Sequence, residues 1–178
     1  MNYLILVNRQ HPCPADLPLD LIPVHPDYPN ILLEREAVRS LARLMEKLDG
    51  WRSIVPVSGW RSMEEQEKLY QNALAESGPK FAEQYVALPG HSEHQTGLAI
   101  DLGLRQPEID LIRPAFPYEG ICQKFRKLAP LYGFVERYPA KKEAVTGIAH
   151  EPWHFRYVGR SHAQRMTNLG LTLEEYLT

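Results

Sequence analysis

Gly97-Leu98-Ala99-Ile100-Asp101-Leu102-Gly103 alternates at the period of a β-strand, with Leu98, Ile100 and Leu102 facing one way and Ala99 and Asp101 the other. A carboxylate in so apolar a run must be paired or bound to a cation, because burying an unpaired charge is too costly. Small Gly97 and Ala99 leave room beside it. A salt bridge or a loop cap would satisfy Asp101 equally, and for an Asp taken alone that is the commoner outcome. Directly upstream, His91-Ser92-Glu93-His94-Gln95-Thr96 places His94 in the loop entering the strand.

A second strand is expected from Trp153 to Val158, with Trp153, Phe155 and Tyr157 opposite His154, Arg156 and Val158. Residues three apart on a strand face opposite sides, so Glu151 must lie in the turn before the strand if it is to share a site with His154. Further strands are expected at Leu4–Val7, at Ile54–Val57, where Pro56 implies an edge or a bulge, and at Phe134–Tyr138. Helical spacing runs through 34–48, and Ser62 with Glu65 forms a capping box for a helix ending near Gly78. Residues 80–87 add a helical turn or two, 119–132 read as a helix stopped by Gly133, and Thr172 with Glu175 opens a last capped segment. Residues 10–30 read as a Pro-rich loop. With no regular βαβ series, the fold class is α+β: a single domain over 1–178 with a central antiparallel sheet flanked by helices.

Composition narrows the function classes. The chain has 178 residues, 44% hydrophobic and 24% charged, as in ordinary globular proteins. A formal net charge of −2 and no basic run longer than Lys141-Lys142 argue against nucleic acid or an anionic membrane as partner. Cys13 and Cys122 make no disulfide framework and have no zinc-finger spacing. The apolar stretch at residues 3–7 ends at Asn8-Arg9-Gln10-His11, far short of the roughly 20 residues of a membrane span. Taking Met1 as the natural start, a cytoplasmic protein without a membrane anchor is expected.

His94, Asp101 and His154 together supply two imidazoles and a carboxylate on strands that could pair. Three protein ligands and one open position is how catalytic zinc is held, and a nearby Glu completes a peptidase. One zinc ion is therefore expected, with Glu151 as the base. A softer metal would want thiolates, and neither cysteine is near. Arg61, between a strand and a helix cap, suits the polarisation of a carbonyl, although a surface loop Arg is commoner. Gln66 faces inward one turn into its helix and needs partners, either a substrate or an ordinary helix-to-loop bond. His91 is the rival ligand, and His150 is expected to point away. Cys122 in mid-helix and Cys13 between prolines suit nucleophilic catalysis poorly.

Ser92 to Asp101 and Glu151-Pro152-Trp153-His154-Phe155-Arg156-Tyr157-Val158-Gly159 resemble the two metal motifs of the D-Ala-D-Ala carboxypeptidases and dipeptidases. Ser58-Gly59-Trp60-Arg61-Ser62 with Gln66 resembles a third, in which Trp60 replaces the common Tyr. Leu6 to Arg9 with Pro12 and Pro14 resembles the start of that catalytic domain. The resemblance implies the fold of the hedgehog-type and lysostaphin-type metallopeptidases. It assigns His94, Asp101 and His154 to zinc, Glu151 to the base, Arg61 to the transition state, and Ser92 and Gln66 to substrate. It points to the VanXY type, which acts on D-Ala-D-Ala and on pentapeptide peptidoglycan precursors and supports vancomycin resistance. An L,D-carboxypeptidase or wall endopeptidase would share these motifs. A non-catalytic zinc-binding module would need neither Glu151 nor Arg61. Oligomeric state is not legible.

Overall fold

The alternation at 97–103 becomes an inner strand of a four-stranded antiparallel sheet in the computed structural model, which describes residues 2–178. In chain order the elements are β1 (Leu21–Pro23), β2 (Leu32–Glu34), α1 (Arg35–Leu48), β3 (Ile54–Ser58), α2 (Met63–Ser77), α3 (Pro79–Tyr85), β4 (Ala99–Leu104), α4 (Gly120–Leu128), β5 (Phe134–Tyr138), α5 (Glu143–Thr146), β6 (Glu151–Tyr157), α6 (Arg160–Leu169) and α7 (Leu173–Leu177). The main sheet has the order β3-β4-β6-β5, and β1 pairs with β2 in a separate hairpin. The expected α+β architecture is the observed one. Pro56 lies on the edge strand β3, next to a register shift between Pro56 and Ser58, where its missing N–H costs no ladder bond.

One face of the sheet makes the main core. Leu98, Ile100 and Leu102 of the β4 segment and Trp153, Phe155 and Tyr157 of β6 pack with Leu41, Leu44 and Met45 of α1 and Cys122 and Phe125 of α4. The opposite face carries Asp101, His154 and Arg156. Polar groups are thus gathered on one side because period-2 alternation leaves them nowhere else to go. α1 starts on Glu34, whose side chain accepts the N–H groups of Glu36 and Ala37, and α2 starts on the Ser62–Glu65 capping box.

Four expectations change. Leu4–Val7 is not a strand: the carbonyls of Tyr3 and Ile5 accept from the Arg156 guanidinium, and Leu4 and Leu6 pack on Val135, Val158, Ala163, Met166 and Leu173. The Pro-rich 10–30 stretch contributes β1, whose short hairpin with β2 carries too few residues to register as periodicity. The helix at 119–132 ends at Leu128 and tightens into a 3-10 turn over Ala129–Tyr132, because Pro130 has no N–H to continue the α pattern. β6 begins at Glu151, two residues earlier than expected. α6 is a ten-residue helix with His162 in its first turn, and it buries Ala163 and Met166. Among the described residues, no helix is long and apolar enough to cross a membrane.

Candidate metal centre and active site

Asp101 and His154 are direct cross-strand partners of β4 and β6, so their side chains share the polar face. His94 comes from a 3-10 turn, Glu93–Thr96, that leads into β4. Its carbonyl accepts from the Arg61 backbone N–H at 3.2 Å, and its Nδ1 donates to the Gly59 carbonyl at 2.7 Å. That second bond fixes the tautomer and turns Nε2 inward, 3.1 Å from Asp101 Oδ2. On the other side, His154 Nδ1 lies 2.9 Å from Asp101 Oδ1. One ligand atom from each residue lies within 4.8 Å of the other two, and all three residues are buried. Donors on a tetrahedral zinc stand about 3.3 Å apart, so this trio fits such an ion with little movement.

Glu151 reaches the same site although it stands three residues before His154. Between β5 and β6 the register jumps from Glu136↔Phe155 to Tyr138↔Glu151, so two extra residues of β6 bulge out around Pro152. The bulge breaks the alternation and leaves Glu151 Oε2 3.7 Å from His154 Nδ1. Glu151 therefore does not lie in the turn before the strand that the alternation predicts: it is in the strand, and the strand is irregular. His94, Asp101, His154, Glu151, Arg61, Gln66 and Ser92 all line one cleft of about 480 Å³. Trp60, Leu69, Tyr85, Leu111, Ile112 and Trp153 supply its apolar walls.

Arg61 is held in place by Gln66. Its guanidinium donates to Gln66 Oε1 and to Ser58 Oγ, each at 2.7 Å, while Gln66 Nε2 donates to the Ala87 carbonyl at 2.7 Å. The helix-to-loop bond foreseen as the ordinary alternative for Gln66 is therefore present, and its product is a fixed arginine facing the cleft. His91 is not with the trio: its Nδ1 lies 2.8 Å from the Asn8 carbonyl. His150 turns away, as expected, and stacks on Tyr118.

The electrostatics are those of a cation site. Burial works against the Asp101 carboxylate, but the facing His94 and His154 imidazoles hold its pKa well below the carboxylate range. Burial would also depress His154, yet Asp101, Glu93 and Glu151 outweigh it and raise the imidazole to about 9. His94 is lowered by burial, with Arg61 and His154 adding to the effect against Asp101. Burial pushes Glu151 up to about 8, despite His154 and Arg61. Without a cation, then, the trio binds a proton on His154 where a metal would otherwise sit.

Three residues beside the site were not singled out from the sequence. Glu93, Arg137 and Arg156 form a fully buried ion cluster behind His154. The available signal was Arg156 itself, which shares the polar face of β6 with His154 and, once buried, requires a carboxylate. Tyr138 packs its ring 4.9 Å from that of His154.

With this geometry in view, the likeness to known proteins is informative. The family described as "VanY: D-alanyl-D-alanine carboxypeptidase" matches residues 30–160. The bifunctional D-Ala-D-Ala dipeptidase and carboxypeptidase VanXYC of Enterococcus gallinarum is 42% identical over 99% of this chain and 94% of that protein. Among solved structures, the vancomycin-resistance D,D-dipeptidase VanXYg, in complex with a D-Ala-D-Ala phosphinate analogue, is 52% identical. It superposes with a TM-score of 0.96 over 99% of this chain and 70% of that one. The D,D-pentapeptidase VanY from a VanB-type cassette, as an E175A mutant in complex with Zn(II), is 30% identical with a TM-score of 0.82 over 100% of both chains.

Proposed function

The chain belongs to the VanY family of D-alanyl-D-alanine carboxypeptidases, and from that premise we propose that it is a zinc peptidase cutting the D-Ala-D-Ala bond of the free dipeptide and of pentapeptide cell-wall precursors. Removal of precursors ending in D-Ala-D-Ala links this activity to vancomycin resistance. The observation that carries the reading is the convergence of His94, Asp101 and His154 with Glu151 and Arg61 on one cleft large enough for a short peptide.

His94 through Nε2, Asp101 through its carboxylate and His154 through Nδ1 are the groups that would hold the ion. Zinc bound there supplies a Lewis acid and lowers the pKa of water at its open position to near 7. The two-nitrogen, one-oxygen donor set supports zinc over soft metals that want thiolates.

Glu151 acts as the base: its carboxylate takes the proton of the attacking water and delivers it to the leaving D-alanine amine. Burial at the cleft floor holds that carboxyl high in pKa, which makes it a competent acid in the second half of the reaction. A cation beside it restores the ionised form needed for the first half. Arg61, locked by Ser58 and Gln66, aims a charge at the oxygen that becomes negative in the transition state. Ser92 lines the cleft beside His94 as a polar contact for substrate. The apolar walls exclude water and receive the methyl side chains of D-alanine.

The test is direct. The purified, zinc-loaded protein is assayed in parallel on D-Ala-D-Ala, on a pentapeptide precursor ending in D-Ala-D-Ala, and on the tetrapeptide lacking the last residue. Release of D-alanine from the first two supports the proposal. Cleavage of the tetrapeptide alone identifies an L,D-carboxypeptidase, and zinc binding with no cleavage of any of them identifies a binding module.

A further inference from the structure

We propose that Glu93 is a positioning residue for the metal centre: its Oε2 receives the Nε2–H of His154 and thereby leaves His154 Nδ1 free to face the cation. The inference rests on the metal site proposed above.

The cluster around Glu93 divides its two oxygens between two tasks. Oε1 accepts from Arg137 Nε at 2.8 Å and makes an ion pair with an Arg156 terminal nitrogen, also at 2.8 Å. Oε2 makes no hydrogen bond to either, and His154 Nε2 lies 3.5 Å from it. Both of these atoms, like the Arg156 terminal nitrogen that faces Oε1, are buried without a hydrogen-bond partner. Buried polar atoms are rarely left unpaired, and a slight rotation of the carboxylate brings this pair together. If Glu93 served only to neutralise the arginines, Oε1 would be enough, and Oε2 would have no reason to face the imidazole.

The cluster is also braced from outside. Glu174 of α7 receives both terminal nitrogens of Arg137, at 2.6 and 2.9 Å. The other terminal nitrogen of Arg156 is fixed by the Tyr3 and Ile5 carbonyls. Two carboxylates thus balance two guanidiniums, and Glu93 keeps an acceptor lone pair for the histidine. A metal-ligating imidazole whose remote N–H is held by a carboxylate has its tautomer and its ring orientation fixed, and loss of such a partner typically lowers metal affinity about 10- to 100-fold.

Glu93→Gln separates charge balance from tautomer control. The arginines demand the amide oxygen at the Oε1 position, so the amide NH₂ falls opposite His154 Nε2 and cannot accept its proton. The histidine then favours protonation at Nδ1, the nitrogen the metal needs. Zinc affinity is measured by competition with a chromophoric chelator, together with the visible spectrum of the Co(II)-substituted protein. Glu174→Gln is the control, since it loosens Arg137 without touching a ligand. The expected result is a drop of about 10- to 100-fold in zinc affinity and an altered Co(II) spectrum for E93Q, with E174Q lowering thermal stability but leaving both near wild type. Wild-type affinity and spectrum in folded E93Q overturn the role of Glu93 while the metal site stands. A wild-type protein that binds no zinc overturns the metal site itself. If E93Q does not fold, ¹⁵N-histidine NMR of the zinc-loaded wild type decides. A protonated His154 Nε2 with a slowly exchanging, downfield proton supports the proposal, and a rapidly exchanging or absent proton there overturns it.

Discussion

Asp101 and His154 face each other across β4 and β6 with Oδ1 and Nδ1 2.9 Å apart, and in the absence of a cation that contact holds a proton. The carboxylates around His154 raise it to about 9 against the opposing effect of burial. Zinc must displace this proton to bind. Apparent zinc affinity should therefore rise about tenfold per pH unit between pH 6 and 8 and level off near 9, because each unit below the pKa leaves a tenfold smaller fraction unprotonated. Chelator competition across that range measures it. A flat profile would mean that His154 is already neutral in the metal-free protein.

The same groups set the pH dependence of metal-free stability. His154 is raised from 6.5 to about 9, so its contribution is full below 6.5 and is lost as pH rises through about 9. Glu151, raised by burial from 4.5 to about 8, acts in the same direction, with its contribution lost as pH rises through about 8. Thermal unfolding of chelator-treated protein should thus show Tm falling from pH 6.5 to 9. The zinc-loaded protein should lose less over that range, because the cation favours the deprotonated groups. A Tm that rises across this window without metal would contradict the charge arrangement at the site.

Replacing Glu151 by Gln removes the proton carrier and leaves the ligands intact. The buried carboxyl is already neutral near pH 7 in the metal-free protein, so the amide causes little change in stability. Turnover should fall roughly 100- to 10,000-fold, with zinc stoichiometry unchanged by elemental analysis. Near-wild-type kcat in this variant would move the base elsewhere.

Gln66→Leu tests the fixing of Arg61. The bond to Gln66 Oε1 is one of two that aim the guanidinium, and the Ala87 carbonyl loses its donor in the same change. Substrate steady-state kinetics should show kcat lowered by about 10-fold or more with a smaller effect on KM, since the lost interaction strengthens in the transition state. An equal rise in KM at constant kcat would instead make Gln66 a ground-state substrate contact.

These predictions depend on features that differ in how far the sequence disclosed them. The period-2 pattern at 98–102 and 153–157 was enough to gather Asp101 and His154 on one face, because strand alternation is local physics. The position of Glu151 was not readable in that way. Its approach to His154 depends on a two-residue bulge of β6 against β5, which is a property of strand pairing and not of either strand alone. The role of Glu93 is illegible in the sequence for a related reason. Its neighbours Arg137, Arg156 and Glu174 are 44, 63 and 81 positions away in the chain, and only folding brings them into contact. Leu4–Val7 had the composition of a strand, yet the side chain of Arg156 took the carbonyl groups of Tyr3 and Ile5 that a partner strand would have used.

Gly97 joins the turn bearing His94 to the strand bearing Asp101, and its backbone permits no other residue cheaply. Its φ is +70°, and an added Cβ would meet Leu21 Cδ2 at 2.8 Å and the Glu34 backbone nitrogen at 3.2 Å. Leu21 can rotate away. The Glu34 nitrogen cannot, because it donates to the Gly97 carbonyl at 2.8 Å and belongs to the cap of α1. Left-handed backbone at a residue with a Cβ costs about 1–2 kcal/mol, and the contact with Glu34 adds to that. Gly97→Ala should therefore lower the unfolding free energy of metal-free protein by about 1–3 kcal/mol in urea. It should also weaken zinc binding, because the strain is relieved by moving His94 relative to Asp101. If stability falls while zinc affinity holds, the turn gives way on its α1 side and the spacing of the two ligands is set elsewhere, by the Gly59–His94 bond and the β4–β6 pairing.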